Sequence, residues 1–287
     1  MAETLRNLVE AELGQPVDPR VVAMANAIAD RHGPASRAVL FYGSCLREKQ
    51  LDGLMLDFYL IVSNYGAAYD KGWLAKANKL IPPNVFPLQH DGLTAKYAVL
   101  SETDFYRLNG PETRNVSVWA RFAQPSRLVW ARDKEASCGA IAAVARAAPS
   151  LLAAARPYPD GDELEPWRHA FSLTYSAELR AERKGRSGSI VDTDRDRYRR
   201  FLAPALAAIE PNASQGNWLR RSVEGKLLSV ARLAKASLTY TGGAEYIAWK
   251  INRHAGTDIE LKPWQKRHPL LAAISLLPRL LRSGAIR

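Results

Sequence analysis

Cysteine is scarce in this sequence: Cys45 and Cys138 are the only two among 287 residues. Two cysteines cannot form the multi-bridge framework of a small secreted domain or a cysteine-rich zinc cluster. The five histidines are scattered, without the paired spacing of metal ligands. The sequence therefore excludes a disulfide-stabilised scaffold and a zinc centre of these kinds.

Long apolar runs and nucleotide-binding fingerprints are also missing. No stretch reaches the roughly 18 to 20 apolar residues that a membrane-spanning helix needs. The opening residues, MAETLRNLVEAEL, are typical of an amphipathic helix and lack the apolar core of a signal peptide. No P-loop, dinucleotide fingerprint or internal repeat is visible. We therefore expect a cytoplasmic protein, soluble or bound peripherally at the inner face of the membrane.

Acidic residues are few relative to basic ones, with 29 Asp and Glu against 40 Lys and Arg and a net charge of +11. Such a surplus favours an anionic partner: a nucleotide, a nucleic acid or an anionic lipid surface. Charge alone does not choose among them, and a solvated basic surface without a dedicated partner is the alternative.

Short apolar runs separated by turn signals predict strands in an α/β first half, and helical periodicity predicts a helical second half. In the first half we expect helices in the first 35 residues, at 71–80 and after the Ser101 cap, with strands at 37–42, 55–63, 96–100 and 128–131. In the second half we expect helices at 133–155, 163–184, 195–209, 217–238 and 242–254, with a break at 184–189. A boundary near 132 divides the chain into domains 1–132 and 133–287.

The residues with the clearest chemical meaning lie at the ends of the first two strands. The strand at 37–42 ends in Tyr42-Gly43-Ser44, and Asp57 lies 13 residues after Ser44, in the second strand. A glycine turn lets backbone N–H groups approach a triphosphate, a hydroxyl can bind a phosphate oxygen, and a neighbouring carboxylate can hold Mg²⁺. This arrangement is typical of nucleotidyltransferases.

The pattern departs from the usual pair of carboxylates. The residue two positions after Asp57 is Tyr59, and the one two positions before is Met55. Asp52 is a candidate second metal ligand, although Asp52-Gly53 is also an ordinary turn signal. On the local pattern alone, an unremarkable strand-turn junction is the competing interpretation.

Five segments together resemble the mitochondrial-type phosphatidate cytidylyltransferases, the translocator assembly and maintenance family. Each match is short, and their order along the chain carries the resemblance. The chain departs from the family pattern at Glu182–Gly185, where the family is acidic, and in lacking a clear Trp-His segment. The matching segments are YGSCLREKQLDGLMLDFYLIV at 42–62, AKYAVLS at 95–101, VWARF at 118–122, LTYSAELR at 173–180 and RSVEGKLLS at 221–229.

The resemblance implies a Mg²⁺-dependent reaction in which CTP and phosphatidate give CDP-diacylglycerol and pyrophosphate. It implies a nucleotidyltransferase-like domain followed by a winged-helix-like helical domain and a membrane-touching C-terminus, where 268–287 is a basic amphipathic segment. The candidate roles are nucleotide binding for Tyr42, Gly43, Ser44 and Lys96, catalysis for Ser44 and Asp57, metal binding for Asp57 and Asp52, and phosphate or lipid head-group contacts for Arg121, Arg180, Arg221 and Lys226.

Two other functions remain open at this point. One is a nucleotidyltransferase that acts on another acceptor, such as RNA, a protein or a different lipid phosphate. The other is a non-catalytic basic module that binds membranes or nucleic acid. We expect no nucleic-acid partner, because no nucleic-acid-binding motif is present and aromatic residues alternate only modestly with basic ones.

Overall fold

The computed structural model describes residues 3–48, 51–178, 186–211, 213, 216–239 and 262. The strands are β1 Ser36–Tyr42, β2 Met55–Val62, β3 Asn84–His90, β4 Leu93–Ser101 and β5 Ser126–Ala131. The helices are α1 Leu5–Leu13, α2 Pro19–Asp30, α3 Ser44–Glu48, α4 Tyr65–Ala68, α5 Gly72–Leu80, α6 Glu102–Asn109, α7 Trp119–Phe122, α8 Lys134–Ala145, α9 Ala147–Ala154, α10 Glu165–Ala177, α11 Arg186–Thr193, α12 Arg195–Ala207 and α13 Trp218–Thr239.

A mixed five-stranded sheet with helices on both faces forms an α/β core, as the sequence predicts. The strand order is β3-β4-β2-β1-β5, with β2 and β4 parallel and every other pair antiparallel. Side chains alternate between the two faces along each strand. In β2, Phe58 and Leu60 join one hydrophobic cluster with α2, whereas Tyr59 and Ile61 join the other with the remaining helices.

The predicted strands at β1, β2, β4 and β5 are confirmed, but β3 was not predicted. Its sequence, NVFPLQH, contains Pro87, and a proline inside a short run argues against a strand. Among the described residues β3 lies at the edge of the sheet, where a proline is tolerated because its missing N–H can face away from β4. A tight turn at Asp91-Gly92, with φ of 47° and 74°, then leads into β4.

The helices predicted in the first half are confirmed, including the α6 cap, where the Ser101 hydroxyl accepts from Asp104 N at 3.2 Å. In the second half, α8 to α10, α12 and α13 are also confirmed. The predicted break at 184–189 is wrong from Arg186 onward, because α11 begins there. Packing explains the difference, since Ile190 and Val191 of this short helix are buried in the core. The predicted helices at 242–254 and 268–287 lie outside the described residues.

One hydrophobic cluster links the sheet to the helices on both sides of residue 132. It joins Tyr59 and Leu100 of the sheet to Trp167 of α10 and Tyr198 of α12. The stretch Lys134–Ala154 is long and apolar enough to cross a membrane, contrary to the sequence-based expectation, yet 67% of its most apolar window is buried in this core. The division into two domains at residue 132 stays a prediction.

Candidate functional site

Tyr42, Asp57 and Lys96 lie side by side on three neighbouring strands. Tyr42 pairs with Asp57 in the register of β1 and β2, and Asp57 pairs with Lys96 in the register of β2 and β4. Lys96 Nζ lies 3.0 Å from Asp57 Oδ1, and both side chains are about one quarter exposed, at 25% and 20%. The sheet register thus brings together three residues that are distant in sequence.

Gly43 lies directly against the Asp57 carboxylate. Its φ is +97°, and a Cβ at this position would lie 2.9 Å from Asp57 Oδ2. Only glycine combines that backbone conformation with that approach. Ser44, the first residue of α3, is partly buried beside it. The structure therefore brings Gly43 and Asp57 together.

Arg121 of α7 lies near the same row of residues. Burial lowers the pKa of its guanidinium, but the negative charge of Glu178 and the surrounding tyrosines and Asp57 outweigh burial and raise it overall. Its Nη1 donates to the Ser117 carbonyl and lies 3.8 Å from Glu178 Oε1. Arg121 is therefore a permanent, partly enclosed cation at the sheet.

The tyrosines beside Arg121 remain protonated. Burial, followed by the charge of Asp57, raises the pKa of Tyr42 well above its usual range. Burial also raises the pKa of Tyr59, although Arg121 and Arg232 oppose that shift. Both phenols therefore carry their proton at neutral pH.

Glu178 is a buried carboxylate that sequence reasoning missed. It follows α10 directly and is 6% exposed. Its charge acts on Arg121, Tyr59 and Arg232, so it belongs to the same electrostatic neighbourhood as Asp57. It lies in the segment LTYSAELR, from which only Arg180 was selected as a candidate.

Two further missed residues, Arg232 and Lys235, come from α13. Arg232 Nε donates to the Pro82 carbonyl and its Nη1 to Ser117 Oγ, both at 2.8 Å. Lys235 Nζ donates to the Pro83 carbonyl at 2.8 Å and also to the carbonyl of Ile81. Burial, with help from the charge of Arg232, lowers the pKa of Lys235 to about 7. The available signal was their helical spacing from Gly225, at seven and ten residues.

Gly225 explains how α13 comes so near. A Cβ on Gly225 would lie 2.2 Å from the Ala177 carbonyl oxygen at the end of α10, so the two helices touch there through their backbones. This close approach places the following turns of α13 against the loop before β3. The small residue is therefore needed for the position of Arg232 and Lys235.

The structure places several predicted site residues elsewhere. Arg221 lies over the rings of Trp119 and Trp218, at 5.2 and 5.8 Å from their centroids, and donates to the Thr113 carbonyl at 3.1 Å. Lys226 is exposed, turned from the face of α13 that carries Gly225. Arg180 lies outside the described residues.

The predicted metal ligands were Asp57 and Asp52. The Asp52 carboxylate is 78% exposed and pairs with Arg20 Nη1 at 2.8 Å, so in this structure its contact is with α2. Among the residues described here, no group of three or more His, Cys, Asp or Glu side chains could hold a metal. Of the two predicted ligands, Asp57 is the one that lies beside the Gly43 turn.

In comparisons with known proteins, no family model matches the chain, and no curated protein matches it.

Proposed function

We propose that this chain is a CTP:phosphatidate cytidylyltransferase, in which a nucleotidyltransferase-like domain is followed by a helical, winged-helix-like domain. The observation that carries the proposal is the Gly43–Asp57–Lys96 arrangement, with a backbone turn, a carboxylate and a cation within contact distance. The ordered resemblance of five sequence segments supplies the substrate class. Together they favour transfer of a nucleotidyl group to a lipid phosphate.

In the proposed reaction, a phosphatidate oxygen attacks the α-phosphorus of CTP. A new P–O bond forms, the bond between the α-phosphorus and the bridging oxygen breaks, and the electron pair leaves with pyrophosphate. The attacking phosphate is already anionic, so the step needs no strong general base. Positioning and charge neutralisation then provide most of the catalysis.

The side chains divide this work by position. The Gly43 N–H and Ser44 hydroxyl would bind triphosphate oxygens, and Lys96 would neutralise charge on the same phosphates. Arg121 would face the reacting phosphates from the helical side. Asp57 would hold Mg²⁺, which when bound neutralises the triphosphate charge and stabilises the leaving pyrophosphate.

An exposed face of α5 supports the proposed contact with an anionic membrane. Trp73, Lys76 and Leu80 lie on one side of this helix, and Trp73 and Leu80 are 46% and 81% exposed. Lys71 and Lys79 are exposed nearby, and no acidic residue interrupts 71–80. Tryptophan and leucine beside lysines suit the interface of an anionic bilayer.

The first test is pyrophosphate release from CTP, Mg²⁺ and phosphatidate in mixed micelles. We expect activity in the native chain and a loss of roughly a hundredfold or more in Asp57→Asn, because a group that acts on the transition-state charge is removed. Asp196→Asn is the matched control, since that side chain is 95% exposed on α12. Full activity in Asp57→Asn contradicts the site.

The same assay separates the other two functions. Pyrophosphate release with RNA, a protein or another lipid phosphate, but not with phosphatidate, would identify a different acceptor. Calorimetry with CTP and Mg²⁺ then tests the non-catalytic alternative. A basic binding module should show no preference among nucleotides.

A further inference from the structure

The helical side of the candidate site carries more positive charge than its described neighbours balance. Three basic side chains lie in this region, those of Arg121, Arg232 and Lys235. The positive charge of Arg121 lowers the pKa of Arg232, and that of Arg232 lowers the pKa of Lys235. Glu178 is the carboxylate among them, while Asp57 pairs with Lys96. Within the described part of the chain, two arginines and the partly protonated Lys235 thus face one carboxylate.

Such a surplus of positive charge is unfavourable unless a bound anion neutralises it. Desolvation disfavours a buried charge, and here burial is the first cause that lowers the pKa of both Arg232 and Lys235. Without good pairing, charges that are removed from water are strongly disfavoured in a protein interior. A ligand with about two negative charges would restore the balance.

Ser117 holds the two arginines next to each other. Its carbonyl accepts from Arg121 Nη1, and its hydroxyl accepts from Arg232 Nη1. The Pro82 carbonyl also holds Arg232 in place by accepting a hydrogen bond from its Nε. Both guanidinium groups are thus positioned before any ligand arrives, which reduces the entropy lost on binding.

Arg232 keeps one donor without a partner. Its Nη2 is buried and has no hydrogen-bond partner among the described residues, although its Nε and Nη1 are both bonded. A buried donor left unpaired is uncommon in proteins, and an absent ligand is one of its ordinary explanations. The guanidinium plane suits the bidentate recognition of a phosphate group.

From this geometry we infer that Arg121 and Arg232 bind the terminal phosphate monoester of the acceptor, with Lys235 adding charge behind them. The inference rests on the proposed function and assigns the acceptor half of that site. Arg232 comes from α13 on the helical side, whereas Gly43 and Lys96 approach from the strands. The two substrates would therefore enter from different parts of the fold.

The charge count also predicts selectivity. A phosphate monoester carries about −1.5 to −2 at neutral pH, whereas a phosphodiester carries one negative charge. A bound anion would raise the pKa of Lys235 and so protonate it. The resulting surplus of Arg121, Arg232 and Lys235 over Glu178 matches the monoester better. After transfer, the same phosphorus lies within a diphosphate bridge and has one fewer charged oxygen, which favours release of the lipid product.

Arg232→Gln and Arg232→Lys test this assignment in the full chain. We expect Arg232→Gln to raise the KM for short-chain phosphatidate about tenfold or more, as loss of a charge-assisted hydrogen bond does, and Arg232→Lys to recover part of it. The Kd for CTP with Mg²⁺, measured by calorimetry, should change by less than about twofold. Arg220→Gln is the matched control, because Arg220 lies exposed on the same helix and pairs with Glu224. An unchanged phosphatidate KM in Arg232→Gln, or an equal loss of CTP binding, overturns the inference.

A measurement on the native chain covers the case in which the variants fail to fold. Calorimetry without CTP compares short-chain phosphatidate with the matching phosphatidylmethanol, a phosphodiester. We expect the monoester to bind at least about tenfold more tightly, a difference of one charge-assisted contact, and equal affinities overturn the inference. Monoester binding without pyrophosphate release would preserve this site and reject the proposed reaction instead. Pyrophosphate release without monoester preference would do the reverse.

Discussion

At the scale of single residues, the candidate site depends on how near the Gly43 backbone comes to a carboxylate. Asp57 Oδ2 occupies the space that any larger side chain at position 43 would need. Asp57 is also fixed on its other side by Lys96, so it has little freedom to move away. A methyl group added at position 43 should therefore displace the carboxylate directly.

We expect Gly43→Ala to reduce activity by roughly a hundredfold, the size of effect seen when a charged contact in a site is misplaced. Its positive φ should add a folding cost of about 1 to 3 kcal/mol. Gly53→Ala is the control, because Gly53 has a φ of +73° but nothing within 4 Å of its added Cβ. Measuring pyrophosphate release and thermal unfolding of both variants separates the effect of the positive φ from that of the contact with Asp57. Equal activity in the two variants would contradict the role of the Gly43 contact.

At the scale of elements, α13 connects the two halves of the molecule. It contacts the end of α10 through Gly225 and the loop before β3 through Arg232 and Lys235. Three successive carbonyls, of Ile81, Pro82 and Pro83, accept hydrogen bonds from these two side chains. The position of α13 therefore decides whether Arg232 and Lys235 reach this part of the molecule.

We expect Gly225→Ala to destabilise the fold by about 1 to 3 kcal/mol, because overpacking forces the helices apart. It should also weaken phosphatidate binding more than CTP binding, since Arg232 moves with α13. Gly139→Ala on α8 is the control: its Cβ meets nothing within 4 Å, and alanine should be neutral or stabilising by up to about 1 kcal/mol. Denaturant unfolding and calorimetry provide the measurements. A Gly225→Ala variant as stable as Gly139→Ala would show that the close helix contact is not required.

At the scale of the whole molecule, the net charge of +11 favours an anionic membrane surface. The exposed face of α5 is the candidate contact with it. Trp73 and Leu80 lie on that face with Lys76 between them. Apolar side chains enter the interface, and lysines near the surface contribute about 1 kcal/mol each on an anionic membrane.

We expect the native chain to sediment with vesicles that contain anionic lipid and much less with vesicles of neutral phosphatidylcholine. Replacing Trp73 and Leu80 together by Ser should reduce binding about tenfold, while activity on short-chain phosphatidate in solution stays close to native. Tyr106→Ser is the control for loss of an exposed aromatic residue, since Tyr106 is 50% exposed on α6. Undiminished sedimentation of the double variant would exclude α5 as the contact.

The sequence by itself determined most elements of this fold. Short apolar runs bounded by turn signals predicted β1, β2, β4 and β5, and cap and proline signals bounded α5 and α6. These features are local, because the period of a strand or helix depends on neighbours within a few residues. Tyr42, Gly43, Ser44 and Asp57 were found in the same way, since a turn after one strand and an acid in the next are visible in the sequence.

Only the tertiary structure decided the rest. The parallel pairing of β2 and β4 placed Lys96 on Asp57. The contact of Gly225 with Ala177 brought Arg232 and Lys235 to the sheet, and Glu178 became significant only beside Arg121. Arg221, chosen for its charge, packs on two tryptophans. These relations join residues that are far apart in the chain, so they follow from helix packing and strand register, which no local pattern specifies.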